Sequence, residues 1–184
     1  EWVVNLDVQA NLQIRGSWGP EHTVLRPQAG GSVVTVTTDG LNVELANLTI
    51  SGGTGTSTFL GTTEINSGGG VYCESESTVT IDGVILSQNE AERGAAIGAL
   101  NGCTVEVRAT ELEANMASAY GGGLYAYSSS AIFDDSSFIG NGAATNGGAV
   151  YLHASEGSFA NSLFDSNYGP GGAGLVMANA NVEV

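Results

Sequence analysis

The chain contains no lysine. Its 4 basic residues are arginines facing 19 Asp and Glu, which leaves a formal charge of −15 over 184 residues. Nucleic acid and anionic lipid both demand a cationic face, so neither is an expected partner. Long apolar runs are missing as well. Val84–Leu86 and Ala95–Leu100 are among the longest, far below the ~18 residues of a membrane span, so direct insertion of this segment in a membrane is not expected. Glu1-Trp2-Val3-Val4-Asn5 has neither the basic nor the apolar part of a secretory signal. Any targeting segment is expected to have been removed or to lie outside this sequence. Proline is scarce at 3 residues, which excludes collagen-like and proline-rich linker chains. Glycine is abundant instead, at 28 residues, about twice the usual ~7%, and points to many tight turns.

A search for internal repeats finds one. Leu86-Ser-Gln-Asn89, Leu112-Glu-Ala-Asn115, Phe138-Ile-Gly-Asn141 and Phe164-Asp-Ser-Asn167 follow one another at intervals of 26 residues. Each is followed by a small-residue motif: Gly94-Ala-Ala-Ile97, Gly121-Gly-Gly-Leu124, Gly147-Gly-Ala-Val150 and Gly171-Gly-Ala-Gly174, with an earlier copy at Gly68-Gly-Gly-Val71. Between the motifs lie short alternating runs, Thr78–Ile81, Thr104–Val107, Ala131–Phe133 and Ser158–Ala160, which read as strands. No stretch carries a capped helical stripe. Asn42–Ile50 resembles Val79–Leu86 but is offset by one repeat plus 12 residues. The surplus is assigned to an insertion at about 52–66, expected to be a loop leaving the regular stack.

A unit of this size cannot bury an apolar face alone and must stack on its neighbours. Parallel stacking sets each inward side chain over its equivalent one coil away, about 4.8 Å distant. Val79/Val105/Ala131, Ile81/Val107/Phe133/Phe159 and Leu86/Leu112/Phe138/Phe164 are apolar in every copy, as an interior requires. Asp82/Arg108/Asp134 is charged throughout and is expected outside, with Arg108 between two carboxylates. Asn89, Asn115, Asn141 and Asn167 are expected to form a structural amide ladder that caps a turn. The paired glycines are read as positions of positive φ and close approach. The expected organisation is one domain over 1–184, with opening coils over 1–40 and regular coils over 41–184.

Phe-x-x-Asn paired with Gly-Gly-Ala-Val, clearest at Phe138–Asn141 with Gly147–Val150, resembles the repeats of the chlamydial-type polymorphic outer-membrane proteins. The resemblance runs from about Leu41 to the C-terminus. It implies an all-β, single-stranded, right-handed parallel β-helix of ~26-residue coils, bacterial and exported, secreted or at the cell surface, often an adhesin or autotransporter passenger.

Catalysis is not expected. Glycosidases place carboxylates ~5–9.5 Å apart, and Asp134-Asp135 is the only Asp-Asp pair, its side chains sent to opposite sides unless a bend intervenes. His22 and His153 lack acidic or thiol neighbours at ligand spacing. No cofactor or metal site is assigned. Ca²⁺ is a weaker alternative, resting on Glu74-x-Glu76, Glu90-x-Glu92 and Glu111-x-Glu113 meeting on one rim.

Cys73 and Cys103 are one coil plus four residues apart. A bridge between adjacent coils is geometrically allowed and favoured in an oxidising compartment, with two free thiols as the alternative. Tyr72, Tyr125 and Tyr151 follow the repeat and are expected to point outward, either as glycan-contact platforms or as an ordinary ladder. Ala180–Val184 alternates like a strand, so the chain is expected either to continue in a longer passenger or to dock end to end on another copy. The expected role is structural or adhesive, with a host or neighbour cell-surface receptor or glycan as partner. The alternatives are a self-assembling extracellular filament stacked end to end and a polysaccharide-active enzyme.

Overall fold

In the computed structural model, which describes residues 1–183, the chain winds into a β-solenoid of seven coils. Three parallel sheets each contain seven strands. The first comprises Trp2–Val3, Val24–Arg26, Thr49–Ser51, Ile85–Ser87, Glu111–Glu113, Ser137–Ile139 and Leu163–Asp165. The second runs from Leu6–Val8 to Leu175–Ala178, and the third from Leu12–Arg15 to Asn181–Glu183. Val184, the last residue of the expected terminal strand, lies outside the described residues.

The register confirms the columns. Val79 pairs with Val105 and Val43, Val105 with Ala131, and Ala131 with Gly157. These inward residues make one continuous core. Side-chain volume is traded between columns as the coils advance. Where the third sheet shrinks through Val105, Ala131 and Gly157, its neighbouring column grows from Val107 to Phe133 and Phe159, and the first sheet grows from Leu112 to Phe138 and Phe164. Phe133 stacks on Phe159 at 5.3 Å and Phe138 on Phe164 at 4.7 Å. A Cβ at Gly157 would stand 2.7 Å from Leu152 Cδ1 and 2.9 Å from Phe159 Cε2, so the rings fill the space this residue leaves free.

Corners are made by single left-handed residues. Asn47, Ala109, Asp135 and Asn161 occupy one corner with φ of 51°, 45°, 51° and 50°. The conformation is costly for non-glycine residues and is held by backbone bonds between coils, such as Ala109 N–H to Asp134 O at 3.1 Å and Asp135 N–H to Ala160 O at 3.2 Å. Asp135 is therefore the bend that ends strand alternation after Asp134.

The insertion differs from the expected loop. Thr56–Leu60 and Thr63–Ser67 form an antiparallel hairpin around Gly61-Thr62, with Gly61 at φ 64°. A two-residue turn opening on glycine fits the twist of such a hairpin; Thr56–Leu60 alternates in burial, and Thr63–Ser67 does so from Glu64 onward. The hairpin belongs to a fourth sheet with Glu90–Arg93, Met116–Tyr120 and Gly142–Ala143.

Candidate functional site

Asn89, Asn115 and Asn141 are fully buried and Asn167 is half-buried. Each sits one residue after a corner with positive φ at Gln88, Ala114, Gly140 or Ser166. Asn115 Oδ1 accepts both the backbone N–H and the Nδ2–H of Asn89, at 3.0 Å each. Asn115 Nδ2 in turn donates to Leu86 O at 2.8 Å and to Asn141 Oδ1 at 2.9 Å. The pattern repeats from Asn141 to Asn167. In the coil before Asn89 the corresponding donor is Gly53 N–H, which donates to Asn89 Oδ1 at 3.0 Å.

The glycine pairs divide their work. Gly68, Gly94, Gly121 and Gly147 take φ between 61° and 65°. The next position is crowded: a Cβ at Gly122 would lie 2.4 Å from Gly142 O, and one at Gly148 would lie 2.4 Å from Tyr168 O. The fourth sheet thus lies against the turn, and its inner face is reduced to Ala91, Ala117 and Ala143.

Further polar ladders went unread in the sequence. Val84 N–H donates to Thr110 Oγ1, Thr110 N–H to Ser136 Oγ, and Ser129 N–H to Ser155 Oγ. The signal was a hydroxyl at 26-residue spacing, hidden because serine and threonine are also common on the outer faces.

Cys73 and Cys103 are joined by a disulfide across adjacent coils, with both residues fully buried.

Tyr72, Tyr125 and Tyr151 point away from the solenoid core but not into solvent. Tyr72 is 0% exposed and Tyr125 2%, since both belong to an apolar cluster with Ile65 and Leu60 of the hairpin, Leu100 and Tyr120. Neither offers a face to a sugar, which corrects the glycan-contact alternative for these two and leaves the ladder alternative; Tyr151 stays half-buried beside them. The hairpin part of this cover came from the segment expected to be a loop. The Tyr72 hydroxyl donates to Glu74 Oε2 at 2.6 Å. Arg93 Nη1 donates to the Tyr125 hydroxyl at 3.2 Å, and its guanidinium lies 5.3 Å from the Tyr120 ring and 5.5 Å from that of Tyr125.

Burial pushes the phenols of Tyr72 and Tyr125 above the ordinary tyrosine value of 10.0, and the bond to Glu74 adds to the effect at Tyr72. Both hold their protons more tightly folded than unfolded. Their contribution is complete below about pH 10 and erodes as pH rises further, because the unfolded chain ionises first. A spectrophotometric titration of the 6 tyrosines is expected to show late ionisation coincident with alkaline unfolding, with one late step lost in Tyr72→Phe. Simultaneous ionisation of every tyrosine in the folded chain would contradict the burial.

The acidic pairs do not share a rim. Glu90 and Glu92 lie on the fourth sheet, Glu111 and Glu113 on the first, and Glu74 follows a strand of the second. Burial and then a hydrogen bond with Glu113 raise the Glu111 pKa. Among the described residues, no three His, Cys, Asp or Glu side chains meet as a metal cluster. His153 packs on Tyr127 at 5.1 Å, while His22 is exposed beside Glu21. Arg108 Nη2 pairs with Asp134 at 3.7 Å and has no ion pair to Asp82 among the described residues.

A model of the right-handed β-helix region matches residues 28–184. The chain belongs to this right-handed β-helix family. Comparison with curated proteins and with solved structures gives no match. The β-helix match begins within the second coil and takes in every regular coil, the hairpin, both cysteines and the whole asparagine ladder.

Proposed function

We propose that this β-helix is exported, to the cell surface or beyond, and serves there as a rigid structural or adhesive scaffold without catalytic activity. The observation that carries the reading is the buried Cys73–Cys103 bridge between adjacent coils. Such bonds form and persist where thiols are oxidised, outside the reducing cytosol. The Phe-x-x-Asn and Gly-Gly-Ala-Val pairing supports the finer assignment to polymorphic outer-membrane-protein repeats. Its side chains are committed to scaffold: the amide ladder holds the corners and the tyrosines hold the hairpin. A receptor or glycan on a host or neighbouring cell is the partner class this role implies.

Trapping thiols by alkylation in the cells that make the protein tests the compartment. The expected product is fully bridged chain in the exported fraction, and reduced chain in the cytosol overturns export. Incubation of the purified chain with a polysaccharide panel tests the absence of catalysis. Retention without depolymerisation is expected, and sustained release of new chain ends makes the protein an enzyme.

A further inference from the structure

The fourth sheet stops short of the other three. They pass through all seven coils, whereas it begins at Thr56–Leu60. This strand lies beside the second coil, where Thr56 Oγ1 is 2.7 Å from Ser32 Oγ and 3.4 Å from Thr35 Oγ1. Its inner edge is paired with Thr63–Ser67, and no described strand pairs with its outer edge.

Hairpin geometry says which groups that edge presents. Leu60 and Thr63 flank the two-residue turn and are a hydrogen-bonded pair, so bonding alternates and Thr58 and Thr56 also bond inward. The backbone N–H and C=O groups of Ser57 and Phe59 consequently point outward. Side chains of the same two residues are exposed, Phe59 at 63%. Protected edges carry a charge, a proline or a bulge, and Thr56-Ser-Thr-Phe-Leu60 has no charge and no proline.

Electrostatics selects the occupant. All four arginines stand beside carboxylates, Arg15 by Glu44, Arg26 by Glu1, Arg93 by Glu92 and Arg108 by Asp134, leaving the excess of 15 negative charges uncompensated. A second copy would bring the same charge to the edge and be repelled. A strand bearing arginine or lysine would be attracted. It would find Phe59 directly opposite the exposed Glu64, an aromatic face and a carboxylate one strand apart.

We propose that the outer edge of Thr56–Leu60 receives an extended basic peptide segment of another protein as an added strand, bonded through Ser57 and Phe59. This strand addition goes beyond the scaffold role and does not depend on export.

The test uses the whole chain and two synthetic strand peptides of alternating Thr and Val, one flanked by Arg and one by Asp. Fluorescence anisotropy is expected to show the Arg peptide binding at least about tenfold more tightly than the Asp peptide. Ser57→Pro removes an outward N–H while sparing the hairpin bonds. It is expected to weaken binding by about tenfold or more with an unchanged thermal midpoint. Amide exchange at Ser57 and Phe59 should slow on adding the Arg peptide to the unsubstituted chain, a readout that stands if the proline variant fails to fold. Equal affinity for both peptides, no binding, or binding without slowed exchange at these amides overturns the proposal. So does dimerisation through this strand that excludes the peptide.

Discussion

Asn115→Ala is expected to destabilise the fold by about 4 kcal/mol, since buried donors left without partners cost about 1–3 kcal/mol each. The loss has named parts. Asn89 would retain neither acceptor for its backbone N–H nor its partner in the next coil, and Leu86 O would lose a donor. Water cannot substitute without opening the stack, because Asn89 and Asn115 are fully buried. Asn167→Ala is the control. This residue is half-buried, so water can reach the Asn141 donors and the Phe138 carbonyl that it serves, and its replacement is expected to cost about 1–2 kcal/mol. Urea unfolding of the two variants checks the contrast, and equal losses would mean that burial does not set the ladder's strength.

The second large effect is expected at the disulfide. Cys73 and Cys103 close a loop with a sequence separation of 30 residues, for which the chain-entropy account gives about 3–4 kcal/mol. Cys73→Ala combined with Cys103→Ala should lower the urea midpoint accordingly. Both sulfurs lie in the interior, so the bridge in the folded chain should resist a soluble reductant until unfolding exposes it. A double variant with an unchanged midpoint would refute the stabilising role.

How much was legible in the sequence follows from which environments repeat. Leu86, Leu112, Phe138 and Phe164 occupy one column, so one constraint was written four times and could be read. The asparagine ladder was readable for the same reason. The first coil was not: from Trp2 to Leu25 is 23 residues and from Leu12 to Val43 is 31, so no fixed offset links it to the next. The hairpin was missed because its Thr-rich strands resemble a polar loop until Gly61-Thr62 is read as a turn. That the burial of Tyr72 was not legible follows from that omission. Periodicity sent both rings outward correctly, but the fourth sheet that covers them, from the hairpin residues Leu60 and Ile65 to Arg93 and Tyr120, carries no recurring column of large apolar residues by which it could be read.

The columnar register has a mechanical consequence. Strands lie across the solenoid axis, so the hydrogen bonds joining one coil to the next run along it. Tension applied lengthwise loads these bonds in opening mode, a few at a time at the outermost coil, and peels the rod instead of shearing it. Between the third and fourth coils peeling meets a covalent tie, Cys73 to Cys103. Residues 74–102 are then withheld from extension, and the rod under load has a locked middle flanked by two segments that unwind.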